Sequence, residues 1–110
     1  MNMSSSPFGG ATRTRVLLAL GLLGESYPRE LARLLEAPIS GVQQALKSLE
    51  RDGLVGGRLM GRTRIVRLEP RYFARRELEA YVARLARADS RLLERVEQLR
   101  RRPRLASKPL

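Results

Sequence analysis

The chain has 110 residues, no cysteine and no histidine, with 22 Lys and Arg set against 11 Asp and Glu, a formal charge of +11 and an isoelectric point near 11.5. That length builds one domain around a single modest core. The missing Cys and His exclude a disulfide framework, a thiolate nucleophile, an imidazole base and zinc sites of the usual ligand types, while the surplus of cations points to a polyanionic partner.

Arginine carries nearly all of the positive charge, because only Lys47 and Lys108 are lysines. Its planar fork pairs bidentately with phosphate and guanine. A chain without cysteine fits a reducing, cytoplasmic setting. Arg13 and Arg15 precede the apolar run Val16 to Leu23, which has the outline of an export signal. The run is too short to cross a bilayer and lacks a small-x-small cleavage site, so a first core helix is expected there, with no membrane association.

Residues 1–11, with Ser4-Ser5-Ser6, Pro7 and Gly9-Gly10, have the composition of a flexible arm. Thr12 is placed to cap a helix in which Val16, Leu17, Leu20 and Leu23 recur at helical spacing, and Gly24 ends it. Pro28 suits the first turn of a second helix with Leu31, Leu34 and Leu35 on one face, closed by Pro38. Ser40 is placed to cap a third helix whose inward positions are Val42, Ala45, Leu46 and Leu49, stopped by Gly53. From Leu54 to Leu68 the pattern turns to β: two short strands flank Gly61, and Pro70 ends the hairpin and starts the next helix.

Beyond Pro70, Leu78, Val82, Leu85, Asp89, Leu92, Val96 and Leu99 are spaced alternately four and three apart, a heptad seam with one polar position. A continuous helix of about thirty residues would run ~45 Å, too long for so small a core to cover. The seam is therefore expected to pair with its copy in a second subunit, with Leu78, Val82, Leu85, Leu92, Val96 and Leu99 at a homodimer interface. A continuous rod and a pair of helices broken at Asp89-Ser90 both remain open. Residues 103–110 are expected to form a disordered basic tail, which leaves residues 12–69 as the central motif and 70–102 as the helical dimerisation region.

Glu30-Leu31-Ala32, then Val42, Leu46, Leu49, Asp52-Gly53-Leu54-Val55 and the turn Gly61-Arg62 resemble the winged helix-turn-helix repressors of the ArsR and MarR kind. The resemblance covers residues 12 to about 88. It implies a mainly α fold with a small β-hairpin, a flanking N-terminal helix and C-terminal dimerisation helices. It also implies that Ser40 to Arg51 is the helix that enters the DNA major groove and that the hairpin is the wing. On that helix the outward positions are Ser40, Gly41, Gln43, Gln44 and Lys47; glutamine pairs bidentately with adenine, Gly41 lets backbone approach closely, and Ser40 and Lys47 suit phosphate. On the wing, Arg58, Arg62 and Arg64 are expected to follow the DNA backbone, with Arg62 at the minor groove. Leu59 and Met60 depart from the polar wing tip of the family. They are expected to pack back on the body or to meet a partner protein.

Metal sensing, well known in this family, rests on thiolates in the first helix of the motif or on His with carboxylates near the C-terminal helices. Glu30 to Leu35 contain no Cys and the chain has no His, so no metal, no cofactor and no metal response are expected. An effector, small molecule or protein, is not specified by the residues. Gly56 to Thr63 has the spacing of a P-loop with Arg in place of Lys. A phosphate-binding loop needs a helix after it, however, and Arg64 to Leu68 is strand-like. The carboxylates lie scattered beside arginines as solvated ion pairs, and no serine has a nucleophile-elbow context, so the chain is not expected to be an enzyme. The function expected is a homodimeric repressor that reads duplex DNA; a winged-helix adaptor in a protein assembly is the competing reading. RNA binding lacks a stacking platform, since Tyr27, Tyr72, Phe73 and Tyr81 fall at helix starts or core spacing.

Overall fold

A computed structural model of the chain describes residues 7–101. Residues 1–6 of the expected arm and all of the expected tail, 103–110, lie outside the described residues. The elements run α1 (Ala11–Leu23), β1 (Glu25–Ser26), α2 (Pro28–Leu35), α3 (Ile39–Arg51), β2 (Val55–Met60), β3 (Thr63–Leu68), α4 (Arg75–Arg87) and α5 (Ser90–Arg101). The fold is mainly α with a small antiparallel sheet, as the periodicities require.

Each boundary has a local cause. Gly24, at φ 86°, takes a positive backbone angle that other residues avoid, and its N–H bonds to the Leu20 carbonyl to close α1. Pro28 opens α2 at a position that needs no amide donor. The N-cap of α3 lies two residues earlier than the sequence suggests: it is Pro38, and Ser40 lies inside the helix with no capping bond from a side chain. Gly53, at φ 79°, ends α3, and the Leu54 N–H reaches back to the Leu49 carbonyl. Thr12 likewise does not cap α1, which Gly10 precedes.

The sheet has the order β1-β3-β2 and is antiparallel throughout. In the hairpin, Val55 stands opposite Leu68 and Met60 opposite Thr63, so Gly61-Arg62 forms the two-residue turn. Gly61 has φ 64° and Arg62 is not in the positive region, the combination of a type II′ turn with glycine first. The two-residue strand β1, which pairs Glu25 with Arg67 and Ser26 with Val66, has no sequence signal of its own. Its Ser26 is buried and donates a 2.6 Å hydrogen bond to the buried Glu30 carboxylate.

The C-terminal seam packs within its own chain. The helix breaks at Asp89, whose Oδ1 accepts a 3.1 Å hydrogen bond from the Leu92 amide and so caps α5. The reversal lays α4 and α5 against α1, with Leu78, Val82, Ala86, Leu92 and Val96 joining Val16, Leu17, Leu18 and Leu20 in one core. Leu85 and Leu99 are half-buried at the edge of that core. Leu78, Val82, Leu92 and Val96 are therefore covered within one chain, where α1 packs on both helices and α2 on α5, and need no second subunit to leave water. The helix following the hairpin also begins at Arg75 rather than at Pro70.

The turn from α2 to α3 is held by charge. Glu36 adopts a left-handed backbone, φ 52°, which is unfavourable for a residue with a Cβ. Its carboxylate pairs with Arg95 at 2.9 Å and Arg91 at 3.0 Å on α5. Hydrogen bonding and charge from Arg95, reinforced by Arg91, hold the Glu36 carboxyl below the usual carboxylate range. A carboxyl with a depressed folded value supports the fold above its unfolded value and loses that support as pH falls through the folded one. Glu36→Gln should accordingly melt earlier than the parent at neutral pH, by a small margin because the pair is solvent-exposed. The two melting curves should converge in acid, as thermal scans from pH 7 to pH 2 would read out.

Candidate nucleic-acid interface

Helix α3 has two faces with opposite chemistry. Val42 and Leu49 are fully buried and Ala45 and Leu46 nearly so, against α1 and α2. Helical geometry then turns Gln43, Gln44 and Lys47 outward, and all three are exposed. Ser40 is exposed in the first turn, and Gly41 is half-buried with open space where a Cβ would stand. The helix end is fixed by Arg13 of α1, which pairs with Asp52 at 2.9 Å and donates to the Ser48 hydroxyl.

The hairpin projects beside this helix. It is tied to α3 by an ion pair between Glu50 and Arg64, two residues past the turn on β3. The Arg64 side chain crosses the ribbon over Gly57, where an added Cβ would lie 2.8 Å from Arg64 Nε. A side chain at Gly57 would push Arg64 off Glu50, which gives that glycine a reason to be there. Arg58 on β2 pairs with Glu25 at 3.5 Å. Two of the three arginines expected on the wing are thus held by carboxylates of the same protein, and only Arg62, exposed at the turn, makes no ion pair among the described residues. The sequence offers no local sign of this, because Glu25 and Glu50 lie far from their partners along the chain.

Leu59 and Met60 do not pack back on the body. They are 74% and 54% exposed at the hairpin tip. Of the aromatics expected at helix starts or core spacing, Phe73 is 92% exposed and Tyr81 47%, so neither is a core residue; Phe73 meets Tyr72 in a tilted ring contact at 5.0 Å and Tyr81 meets Phe8 at 5.6 Å between ring centroids. The P-loop-like stretch Gly56 to Thr63 is the hairpin itself, with a strand after it rather than a helix.

The arrangement of three helices, a short strand and a protruding hairpin is that of known regulators. The chain has the winged-helix fold. It superposes on the adhesin competence repressor AdcR of Streptococcus pyogenes with a TM-score of 0.59 and 18% identity, over 79% of this chain and 64% of that one. On a mutant of Lactococcus lactis ZitR in its apo form the TM-score is 0.58 with 17% identity, over 87% and 70%. A probable transcriptional regulator from Pseudomonas aeruginosa matches at a TM-score of 0.56 and 27% identity, over 81% and 71%. This chain thus spans a little under two thirds of AdcR. No protein-family model and no curated protein matches the sequence. Among the described residues no helix is long and apolar enough to cross a membrane.

Proposed function

We propose that this protein is a transcriptional regulator that binds duplex DNA in a sequence-specific way, with α3 in the major groove and the hairpin along the neighbouring backbone. The observation that carries the reading is the division of α3: its apolar face is buried, and Gln43, Gln44 and Lys47 stand exposed beside a hairpin tipped by Arg62. Regulators of the same fold support it. Residues Ser40, Gly41, Gln43, Gln44 and Lys47 form the reading surface. Arg62 makes the principal wing contact, and Arg58 and Arg64 serve first to hold the wing in place.

A homodimeric repressor without metal response belongs to the same reading. A second copy docked through α4, where Tyr81 is exposed, and the segment before it, where Phe73 is exposed, would present two α3 helices. Its operator would be an imperfect palindrome with half-sites about ten base pairs apart or a multiple of that. The repressor would act by occluding a promoter in the cytoplasm.

Binding fragments selected from a random duplex pool test the reading. Gln43→Ala/Gln44→Ala should lose about 1–3 kcal/mol for each base pair no longer read, with selectivity over random duplex falling accordingly. Arg62→Ala should weaken all sequences alike and lower the slope of log affinity against log salt by about one. A glutamine variant that binds selected and random duplex as the parent does would refute the assigned reading surface.

The exposed Leu59 and Met60 favour a second reading, a winged-helix adaptor in a protein assembly. That protein would attach to DNA weakly and without regard to sequence, and the same titration with competitor duplex separates the two.

A further inference from the structure

The wing tip has the wrong composition for a ribbon that only follows phosphates. Along the shaft, Arg58 and Arg64 pair with Glu25 and Glu50, and Arg67, near the base of β3, is exposed. At the tip, one cation remains, Arg62, flanked by Leu59 and Met60, two large apolar side chains left 74% and 54% exposed. Successive residues of a strand leave it on opposite faces, so Leu59 projects beside Arg64 on one face and Met60 beside Thr63 on the other. The Glu50–Arg64 pair keeps this tip next to the exposed face of α3, one helical turn from Lys47. The hairpin from Leu54 to Leu68 contains no carboxylate. A polyanion is the partner this charge pattern admits.

From this geometry we propose that Leu59 and Met60 form an apolar wedge, drawn by Arg62 into the minor groove of duplex DNA beside the segment that α3 reads, where it opens a base step. The inference rests on the DNA-binding reading above. Minor-groove wedges combine these elements: a cation attracted by the potential of the groove, and apolar side chains against the sugar walls and the exposed base faces. A two-stranded tip with backbones about 4.8 Å apart and side chains on both faces does not fit a groove about 6 Å wide unless the groove opens. Entry therefore kinks the duplex, and flexible pyrimidine–purine steps such as TA and CA are the preferred place for it. The wing then contributes selectivity through the deformability of the DNA rather than through hydrogen bonds to base edges.

The test uses duplexes selected by the full-length protein from a random pool, with 2-aminopurine placed at successive steps. Both side chains are exposed, so Leu59→Ser/Met60→Ser should fold like the parent, which its melting curve checks. That variant should bind the selected duplex about 10- to 100-fold more weakly. It should keep the parent's salt slope, since no phosphate contact is lost, and it should lose the rise in 2-aminopurine fluorescence that the parent produces at one step. Arg62→Ala should instead lower the salt slope. A double-serine variant with the parent's affinity and fluorescence would overturn the wedge while leaving the DNA-binding reading intact, and would hand the tip to a protein partner. A parent protein that shows no preference for selected over random duplex would overturn the DNA-binding reading itself, and the wedge with it.

Discussion

Gly21→Ala should destabilise the protein by about 1–3 kcal/mol, against the ordinary expectation for a helix. Inside a helix, alanine is normally favoured over glycine by about 0.5–1 kcal/mol. Here the sign reverses because α4 crosses α1 at this residue: an ideal Cβ on Gly21 would stand 2.4 Å from Val82 Cγ1. Val82 is fully buried and branched at Cβ, so it has little freedom to swing away. Val82→Ala alone should cost about 1.5–3 kcal/mol through lost burial and a residual void. In the double variant the new methyl at position 21 enters the space the valine vacates, so the two losses should not add. A favourable coupling of about 1–2 kcal/mol is expected, within the range for residues in direct contact. Urea unfolding of the four proteins measures it. The coupling should be the same at every protein concentration, because the contact lies within one chain. A coupling that appears only at concentrations where the protein associates would return Val82 to a subunit interface.

Leu49→Ala should cost about 2–5 kcal/mol, among the largest effects of any single truncation on α3. The side chain is fully buried beneath the helix, where it shares the core with Val42 and with α1. Gln44→Ala, on the opposite face of the same helix, should leave stability within about 0.5 kcal/mol of the parent, as most exposed substitutions do. Alanine is also the better helix former. The pair separates folding from function on one element, since Leu49→Ala acts through the midpoint of unfolding and Gln44→Ala through affinity for selected duplex. Comparable losses of stability from both substitutions would mean that the exposed face of α3 is not free for a ligand.

The α3 assignment was legible in the sequence because it rests on local periodicity. Val42, Ala45, Leu46 and Leu49 recur at helical spacing, and the structure buries those four residues on α3. Asp52-Gly53 and Gly61 mark a helix end and a hairpin turn by the backbone angles they permit, and Gly53 and Gly61 both take positive φ. The capping residues were misplaced. Ser40 and Thr12 are favourable caps by composition, yet Pro38 and Gly10 occupy those positions, since the entry angle of a helix depends on what the preceding turn packs against. Strand β1 was missed for a related reason: two residues carry no period, and only their pairing with β3 makes them a strand.

The sequence by itself determined which apolar residues turn inward on α2 and α3, where the hairpin turns, and that the heptad stripe from Leu78 to Leu99 must be covered. On α1 it missed Leu18 and Ala19, buried because α1 is enclosed on several sides, while Leu23 is only half-buried. Nor could it name the surface that covers the stripe. Apolar spacing specifies that a face leaves water, and the burial energy is nearly indifferent to whether the covering side chains belong to α1 or to another molecule. Tertiary structure made that choice by breaking the helix at Asp89 and folding both halves onto α1. It likewise decided that Arg58 and Arg64 are held by Glu25 and Glu50 while Arg62, at the tip, makes no ion pair among the described residues. Those pairings join residues distant in the chain, and an ion pair depends on a few ångströms of separation in space that no sequence interval records.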